Sequence, residues 1–537
     1  MELRWGERLK KALLASVVVA VATAQLLVLP VSADAGQWAP TLPSSTQWGL
    51  GVADTNVVEP LSLLEGQITS ANNGQGSSAI CAGDDTSLTN SPDCDFEQSD
   101  VIGSAQIVLP ACTSSTETDC VVSLSLGASS SSLAPANFIR QTDGPSVAAI
   151  PSLDVPAGST ESLWQSSVAD ADGSTTYAVG VEISYLFDRA TGAFSPVGLG
   201  AVVQPYGEVS GTQYTAPTTG LETLPSGQQI VYLHEPTQGC AWEEAETCGV
   251  QQDFTSGTVT SLSVRIPDGI GGWLFGRMQD PALSVTDFDA TSHTLTVTAE
   301  SVPVPAFEVT TSASNPDVGF TTWLANQNGY QLPTGFPIIL DPNLQQAIEA
   351  INDLRGDAAN TASGVTNDWS FNSFPTGQAG NCFTSTSQVQ GFVTTNALAY
   401  SRNPPTFANG YLSYEVAGMH YLPGGSLALG TYNLVLADSV ARCLYGFTNA
   451  PISASISVTE NDGTENVATT SVADTGGWLY LSAGGFTFSD PVIKIKLKQK
   501  GLSSTPSTIF CTKGASVKHV RAINPRCPSG YRRANSK

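Results

Sequence analysis

The chain has 537 residues, of which 41% are hydrophobic and only 13% are charged, whereas a typical soluble domain has about 25% charged residues. This length suggests about three or four domains, and the apolar content excludes disorder throughout the chain. The formal net charge of -25 argues against nucleic acid as a partner of the main body, because phosphate binding needs clustered Lys and Arg side chains.

Residues 1–35 predict a secretory signal peptide. Four basic residues between positions 4 and 11 precede the apolar run at 12–29, and Ala33-x-Ala35 provides a cleavage site before Gly36. An uncleaved anchor is the alternative, because about 18 apolar residues approach the length that spans a bilayer. Pro30 and the small residues favour cleavage, so we expect an exported protein without a transmembrane anchor after cleavage.

Residues 36–149 predict an N-terminal region that is rich in Ser, Thr, Asn and Gly. Its apolar runs predict strands at 101–109 and 121–126. Four of the ten cysteines fall here in two tight loops, so we expect this region to need disulfides to keep its shape.

All ten cysteines follow residue 35, and their even number indicates five disulfides formed in an oxidising compartment. Proximity in the chain favours four pairs, although ten cysteines permit many other pairings. The pairs are Cys81 with Cys94, Cys112 with Cys120, Cys240 with Cys248, Cys511 with Cys527 and, by elimination, Cys382 with Cys443. No C-x-x-C is present, which disfavours zinc and redox chemistry.

Two segments, 150–305 and 365–500, predict β-domains. Short runs of Val, Ile, Thr and aromatic residues alternate with turn residues, and the clearest strands are at 177–187, 258–266, 293–299 and 491–500. The last strand places Ile493, Ile495 and Leu497 on one face and lysines on the other. We therefore expect a mainly β protein built from tandem β-sandwich-like domains.

One connecting helix is predicted at 341–355, within the segment 306–364 between these domains. Asp341 is a suitable cap, Pro342 suits the first helical position, and Gly356 suits the end. Apolar residues recur at helical spacing between them. We expect this helix to pack across a sheet or between domains.

A faint duplication relates the two β-domains, because six elements recur in the same order with similar gaps. The first copies lie at 224–227, 231–233, 240, 261–264, 271–274 and 280–281, and the second at 422–425, 432–436, 443, 455–458, 476–479 and 490–491. Each Gly-Gly-Trp-Leu element predicts a turn followed by a core aromatic, Trp273 or Trp478. Sugar stacking by these tryptophans is the alternative.

Charge is divided unevenly along the chain. Residues 36–493 hold 44 carboxylates and seven arginines, whereas residues 494–537 hold eleven Lys and Arg residues and no carboxylate. The C-terminal module at 501–537 therefore predicts an interaction tail for anionic cell-envelope polymers. The binding residues would be Lys513, Lys518, Arg521, Arg526, Arg532, Arg533 and Lys537. The alternative is that the tail folds back on its own acidic body.

The last 28 residues resemble a short terminal module of exported actinobacterial proteins. The similarity lies in Phe510-Cys-Thr-Lys-Gly514, Val517-Lys-His-Val-Arg521 and Asn524-Pro-Arg-Cys-Pro-Ser-Gly-Tyr531, followed by Arg532 and Arg533. In that module a C-x-K-G turn precedes a basic strand and a P-x-C-P-x-G-Y-basic ending. The body is also similar to exported proteins of this group. The resemblance implies an envelope or extracellular setting and no particular reaction.

Catalytic motifs are missing from the sequence, which has no H-E-x-x-H, G-x-S-x-G, P-loop or dinucleotide fingerprint. The densest acidic loop, 240–248, places Glu243, Glu244 and Glu246 beside Trp242. Paired carboxylates there would suit a secreted hydrolase that acts on polysaccharide. A solvated acidic loop is the alternative, and the second copy of the duplicated element has no matching carboxylates.

The remaining polar candidates are interpreted as structural. The four histidines, His234, His293, His420 and His519, fit surface or hydrogen-bonded positions better than a catalytic triad. Asp170-Ala-Asp172-Gly173, Asp84-Asp85 and Asn461-Asp462-Gly463 offer oxygens for calcium, but turn formation explains them more simply. We expect no cofactor, and a secreted, non-enzymatic protein of the cell surface or extracellular space that serves as a structural component or binds a ligand there.

Overall fold

A computed structural model of the protein describes most of the chain after residue 42. The described residues are 43–54, 62–68, 78–82, 91–144, 146–210, 218–223, 229–234, 242–243, 247–270, 272–327, 332, 334–335, 337–374, 382–383, 389–447, 452–459, 465–466, 469–488, 492–499, 507–514, 516–522 and 525–534. The predicted signal peptide lies outside them.

Strands dominate the described residues. The strands before residue 313 are β1 Gln47–Val52, β2 Leu63–Ile68, β3 Ser78–Ala82, β4 Val101–Val108, β5 Cys120–Gly127, β6 Ala134–Pro135, β7 Asn137–Gln141, β8 Ser162–Gln165, β9 Thr176–Asp188, β10 Ala193–Ser210, β11 Thr218–Thr223, β12 Gln229–His234, β13 Trp242–Glu243, β14 Thr247–Gln251, β15 Val259–Pro267, β16 Gly272–Arg277, β17 Gln279–Asp287, β18 Ser292–Glu300 and β19 Val302–Ser312.

The strands after residue 313 are β20 Pro337–Leu340, β21 Gly364–Asp368, β22 Ser370–Phe374, β23 Val389–Thr395, β24 Ala399–Tyr400, β25 Thr406–Ala408, β26 Tyr411–Ala417, β27 Leu429–Ala437, β28 Ile452–Thr459, β29 Glu465–Asn466, β30 Thr469–Thr475, β31 Trp478–Thr487, β32 Val492–Gln499, β33 Ser507–Lys513, β34 Ser516–Ala522 and β35 Arg532–Arg533. The α-helices are α1 Val318–Asn326, α2 Gln345–Leu354 and α3 Asp438–Tyr445, and short 3-10 helices occupy Pro92–Cys94 and Pro151–Leu153.

One long sheet links the two predicted β-domains. Its strand order is β3-β2-β4-β9-β10-β22-β16-β23-β27-β31-β30. Strand β16 pairs antiparallel with β22 and parallel with β23. All six residues of β16 are buried, which explains its unbroken run Gly-Trp-Leu-Phe-Gly: a strand covered on both faces does not alternate with polar residues.

Two smaller sheets cover opposite faces of this long sheet. The five-stranded sheet β17-β18-β15-β5-β6 forms one core with the long sheet, and the six-stranded sheet β24-β26-β32-β28-β29, with β25 paired to β26, forms another. Successive residues of β16 show the alternation, because Leu274 belongs to the first core and Trp273 and Phe275 belong to the second. The arrangement is two β-sandwiches that share one sheet.

A four-stranded sheet and two helices form a third core. Its order is β20-β1-β19-β21, with β1 parallel to β20 and antiparallel to β19. Helices α1 and α2 bury Trp323 and Ile351 in the same cluster as Leu50 of β1. The connecting segment is therefore a packed unit that includes the first strand of the N-terminal region.

The predicted fold class, mainly β with sandwich-like packing, is confirmed. The strands predicted at 101–109, 121–126, 177–187, 258–266, 293–299 and 491–500 correspond to β4, β5, β9, β15, β18 and β32. Ile493, Ile495 and Leu497 are buried on one face of β32, as the alternation predicts. Local periodicity identified these strands because side chains on a strand alternate between two faces.

The expectation of a single helix is wrong, because α1 and α3 are also present. Helix α2 begins at Gln345 rather than at 341, and Asp341 Oδ1 instead accepts a hydrogen bond from the backbone N–H of Asn343 at 3.1 Å in the preceding turn. Helix α1 includes Gly and two Thr, which have low helix propensity, so its stability comes from burial of Phe320 and Trp323.

The long sheet crosses the predicted domain borders. Strand β16 comes from segment 150–305 but lies between β22 and β23 of segment 365–500. Strands of the N-terminal region 36–149 join three different sheets. The two β-segments therefore share a sheet rather than forming separate ones, and the domain borders themselves stay a prediction.

The duplicated Trp residues occupy different environments. Trp273 is fully buried in the second core, whereas Trp478 is half-buried against the first core. Trp478 follows a tight hairpin in which Gly476 and Gly477 both have positive φ (62° and 84°), as the sequence predicts for a Gly-Gly turn. The expectation that the two tryptophans are equivalent core residues is therefore wrong for Trp478.

Four of the five predicted disulfides are confirmed. They join Cys81 to Cys94, Cys112 to Cys120, Cys382 to Cys443, and Cys511 to Cys527. Cys240 lies outside the described residues, so its pairing with Cys248 stays a prediction. No helix in the described part of the chain has the length and apolar character needed to cross a membrane.

Candidate functional site

The C-terminal residues form a small three-stranded sheet of their own, in the order β34-β33-β35. Strands β33 and β34 form a hairpin with Phe510 opposite His519, and β35 extends the other edge of β33. The disulfide between Cys511 and Cys527 joins the central strand to the segment before β35. We call residues 507–534 the terminal sheet.

Several residues of the terminal motif have a structural role. Gly514 adopts a positive φ of 59° in the turn after Lys513, and Gly530 a positive φ of 82°, both of which favour glycine. The Lys518 ammonium lies 4.9 Å from the centroid of the Tyr531 ring, a cation–π contact. The Tyr531 hydroxyl lies 3.3 Å from Ser516 Oγ. The motif therefore holds the third strand against the hairpin.

Strand register divides the terminal sheet into two faces. Opposite pairs place Phe510, Val517, His519, Arg521 and Arg532 on the same face, which we call the open face. Phe510 is 43% exposed and Val517 is 55% exposed. The Phe510 and His519 rings meet edge to face with centroids 4.5 Å apart. Buried Ile509 and Cys511 point to the opposite face.

Six of the seven predicted envelope-binding cations are described, and all six are exposed. They are Lys513, Lys518, Arg521, Arg526, Arg532 and Arg533. Within the residues that the structure describes, no carboxylate oxygen lies within 4.0 Å of a charged nitrogen of these six side chains. Lys537 lies outside the described residues. The terminal sheet therefore presents a local positive field on an otherwise acidic protein.

The acidic loop proposed for hydrolysis lies largely outside the described residues. Glu243 is in the two-residue strand β13, which pairs with β14, and only its backbone is described. Glu244 and Glu246 are not among the described residues. Their use as paired carboxylates therefore stays a sequence prediction.

The polar turns and the histidines can be placed in part. Asp170 Oδ1 accepts hydrogen bonds from the backbone N–H groups of Asp172 (3.0 Å) and Ser174 (2.8 Å), which is the turn-forming role. Buried His293 has Nδ1 3.2 Å from Asp268 Oδ1. Among the described side chains, no group of three or more His, Cys, Asp or Glu is arranged to hold a metal ion. The turns at 84–85 and 461–463 lie outside the described residues.

A buried charge cluster surrounds Arg277 at the end of β16, where the three cores meet. The Arg277 side chain is 0% exposed, and its guanidinium donates to Asp54 Oδ2. It also donates to the backbone carbonyls of Thr395 (3.1 Å), Ala397 and Leu398 (3.0 Å). Its Cζ lies 4.2 Å from the centroid of the Tyr400 ring.

Asp368, at the end of β21, adds a second carboxyl group to this cluster. Burial, and next the neighbouring Asp54, raise the pKa of Asp368 to about 8, although Arg277 opposes the shift. The Arg277 guanidinium pairs with the Asp54 carboxylate, and the raised pKa of Asp368 favours its protonated form at neutral pH. Because these side chains are buried, and Arg277 is bonded to Asp54 and to three backbone carbonyls, we interpret the cluster as structural.

No protein-family model matches the chain, and no curated protein matches its sequence.

Sequence reasoning missed two features of these sites. The apolar residues of the open face had a signal, because Thr508, Phe510 and Thr512 alternate with Ile509 and Cys511 along one strand. Arg277 had a weaker signal: it is one of seven arginines in the acidic body and directly follows a wholly apolar run. Its partner Asp54 lies 223 positions away, so no local pattern connects the two residues.

Proposed function

We propose that this is a secreted, non-enzymatic binding protein of the cell surface or extracellular space, held to anionic envelope polymers by its terminal sheet. The observation that carries the proposal is the group of six exposed cations on a disulfide-bonded sheet, with no carboxylate within 4.0 Å among the described residues. Such a group attracts a polyanion even though the whole protein is negative.

Two further observations support the extracellular setting. Four disulfides are typical of proteins that fold in an oxidising compartment. The basic N-terminal stretch, the apolar run and the Ala33-x-Ala35 site at the start of the sequence are those of an export signal. The acidic body keeps the protein soluble by self-repulsion and leaves binding to the terminal sheet.

The test deletes residues 504–537, which removes the terminal sheet but leaves strand β32 in place. We expect the full protein to remain with cells at low salt and the shortened protein to enter the medium. A 1 M salt wash should release the full protein, because the screening length falls from about 10 Å at 0.1 M to about 3 Å at 1 M.

A matched control replaces Lys494, Lys496 and Lys498 by Gln, which removes positive charge from β32 but keeps the terminal sheet. This variant should remain with cells. If the folded, shortened protein partitions between cells and medium as the full protein does at low salt, the anchoring proposal is wrong.

A further inference from the structure

We infer that the open face of the terminal sheet selects anionic polysaccharides, with Phe510 packing on a sugar ring while Arg521 and Arg532 bind acidic groups on either side. This inference rests on the proposed function and adds the chemical class of the ligand. It concerns side chains that general charge attraction does not require, namely Phe510 and Val517.

The placement of these side chains follows from strand register. Phe510 is on the central strand, Arg521 is on β34 diagonal to it, and Arg532 is on β35 diagonal to it on the other side. Diagonal neighbours on one face lie about 7 to 8 Å apart. On this face Phe510 therefore lies between Arg521 and Arg532, so a sugar chain that packs on the ring can present acidic groups to both arginines.

The chemistry of the face distinguishes a sugar polyanion from a simple polyanion. A pyranose ring has an apolar face of C–H groups, and burying that face against an aromatic ring removes apolar area from water. Carboxylate or phosphate groups on the polymer match the fork of donors on each arginine. A polyanion without rings would use the arginines but gain little from Phe510.

The exposed apolar residues lie within a positively charged surface. Phe510 and Val517 are 43% and 55% exposed beside cations on a sheet of only three strands. The opposite face is occupied by the module itself, through the Cys511 disulfide and the contact between Lys518 and Tyr531. Charge complementarity therefore selects a negatively charged polymer as the partner of the open face.

The test measures binding of the full exported protein to polygalacturonate, an acidic polysaccharide, and to inorganic polyphosphate, which has charge but no rings. Phe510→Leu keeps an apolar side chain and Phe510→Trp keeps an aromatic one, so both should fold. We expect Phe510→Leu to weaken polygalacturonate binding by roughly three- to tenfold, the range for one aromatic contact, and to change polyphosphate binding less than twofold. Phe510→Trp should keep both.

Two double variants test the role of the face itself. Arg521→Gln with Arg532→Gln removes two charges from the open face, and Arg526→Gln with Arg533→Gln removes two charges elsewhere in the terminal sheet. The first pair should weaken polygalacturonate binding more than the second.

The outcomes separate this inference from the proposed function. If Phe510→Leu leaves polygalacturonate binding unchanged, or weakens both polymers equally, the sugar-selective face is wrong while charge-driven anchoring by the terminal sheet stands. If the full protein binds neither polymer at low salt and deletion of 504–537 changes nothing, both ideas are wrong.

Discussion

Replacing Arg277 by Met tests whether one buried guanidinium holds the three cores together. Met has a similar length but no charge and no hydrogen-bond donors, so the substitution removes the guanidinium that pairs with the Asp54 carboxylate. It also leaves the carbonyls of Thr395, Ala397 and Leu398 without this donor. Tyr400 remains as an apolar contact surface for the new side chain.

The size of the expected destabilisation follows from these lost interactions. Removing one side of a buried ion pair costs about 3 to 5 kcal/mol, and each buried carbonyl that loses its donor adds about 1 kcal/mol or more. These terms share one site and are not strictly additive. We expect Arg277→Met to lower the free energy of unfolding by about 4 to 8 kcal/mol at pH 8, a large part of the stability of an ordinary domain.

The destabilisation caused by Arg277→Met should depend on pH. At lower pH the carboxyl of Asp54 in this variant can take up a proton and stay buried as a neutral group, which limits the destabilisation. The destabilisation should therefore be smaller at pH 5 than at pH 8, with a change of up to roughly 1 kcal/mol per pH unit. Urea unfolding of the disulfide-intact protein, followed by tryptophan fluorescence at both pH values, measures it.

Arg265→Met is the matched control. Arg265 is half-buried and donates to the carbonyls of Glu117 (2.7 Å) and Ser114 (3.4 Å), where water can replace it. Its loss should cost about 1 kcal/mol and show little dependence on pH. If Arg277→Met costs no more than this control at either pH, the reasoning that Arg277 balances a buried carboxylate is refuted.

Three further tests probe the same architecture. Because the pKa of Asp368 is raised, its contribution to stability is full below about pH 4 and is lost as pH rises through about 8. Asp368→Asn removes this titration. The free energy of unfolding of that variant should therefore fall less steeply between pH 5 and pH 8, by roughly 1 kcal/mol per pH unit. Trp273→Ala should cost about 3 to 5 kcal/mol and Trp478→Ala about half as much in urea unfolding, because the first side chain is fully buried and the second half-buried. Replacing Cys382 and Cys443 by Ser should cost roughly 4 kcal/mol in the same assay, because that disulfide closes a loop of 61 residues.

Each of these expectations has a contrary result. An Asp368→Asn protein with the unaltered pH profile would show that Asp368 is already ionised in the folded state. Equal losses for Trp273→Ala and Trp478→Ala would restore the equivalence that the duplication predicts. A Cys382→Ser, Cys443→Ser protein as stable as the original would show that the loop is already restricted in the unfolded chain.

The features that depend on nearby residues were readable in the sequence. Alternation along 491–500 located β32 and its buried residues, because a strand has a period of two whatever it pairs with. Three of the four confirmed disulfides join cysteines no more than 16 positions apart, so short spacing was a sound guide to them. The partition of charge along the chain is likewise a property of the sequence itself, and it predicted a basic C-terminal module at the position of the terminal sheet.

The tertiary structure alone decided which distant strands meet. Strand β16 carries the same Gly-Gly-Trp-Leu signal as β31, yet it lies between two strands more than 90 positions further along the chain and buries both faces. Pairing of that kind leaves no local pattern, because the residues that select a partner strand are spread over the whole surface that the strand covers. The same reason hid the Arg277 cluster, whose charge balance exists only where β16, β21 and the residues after β1 come together.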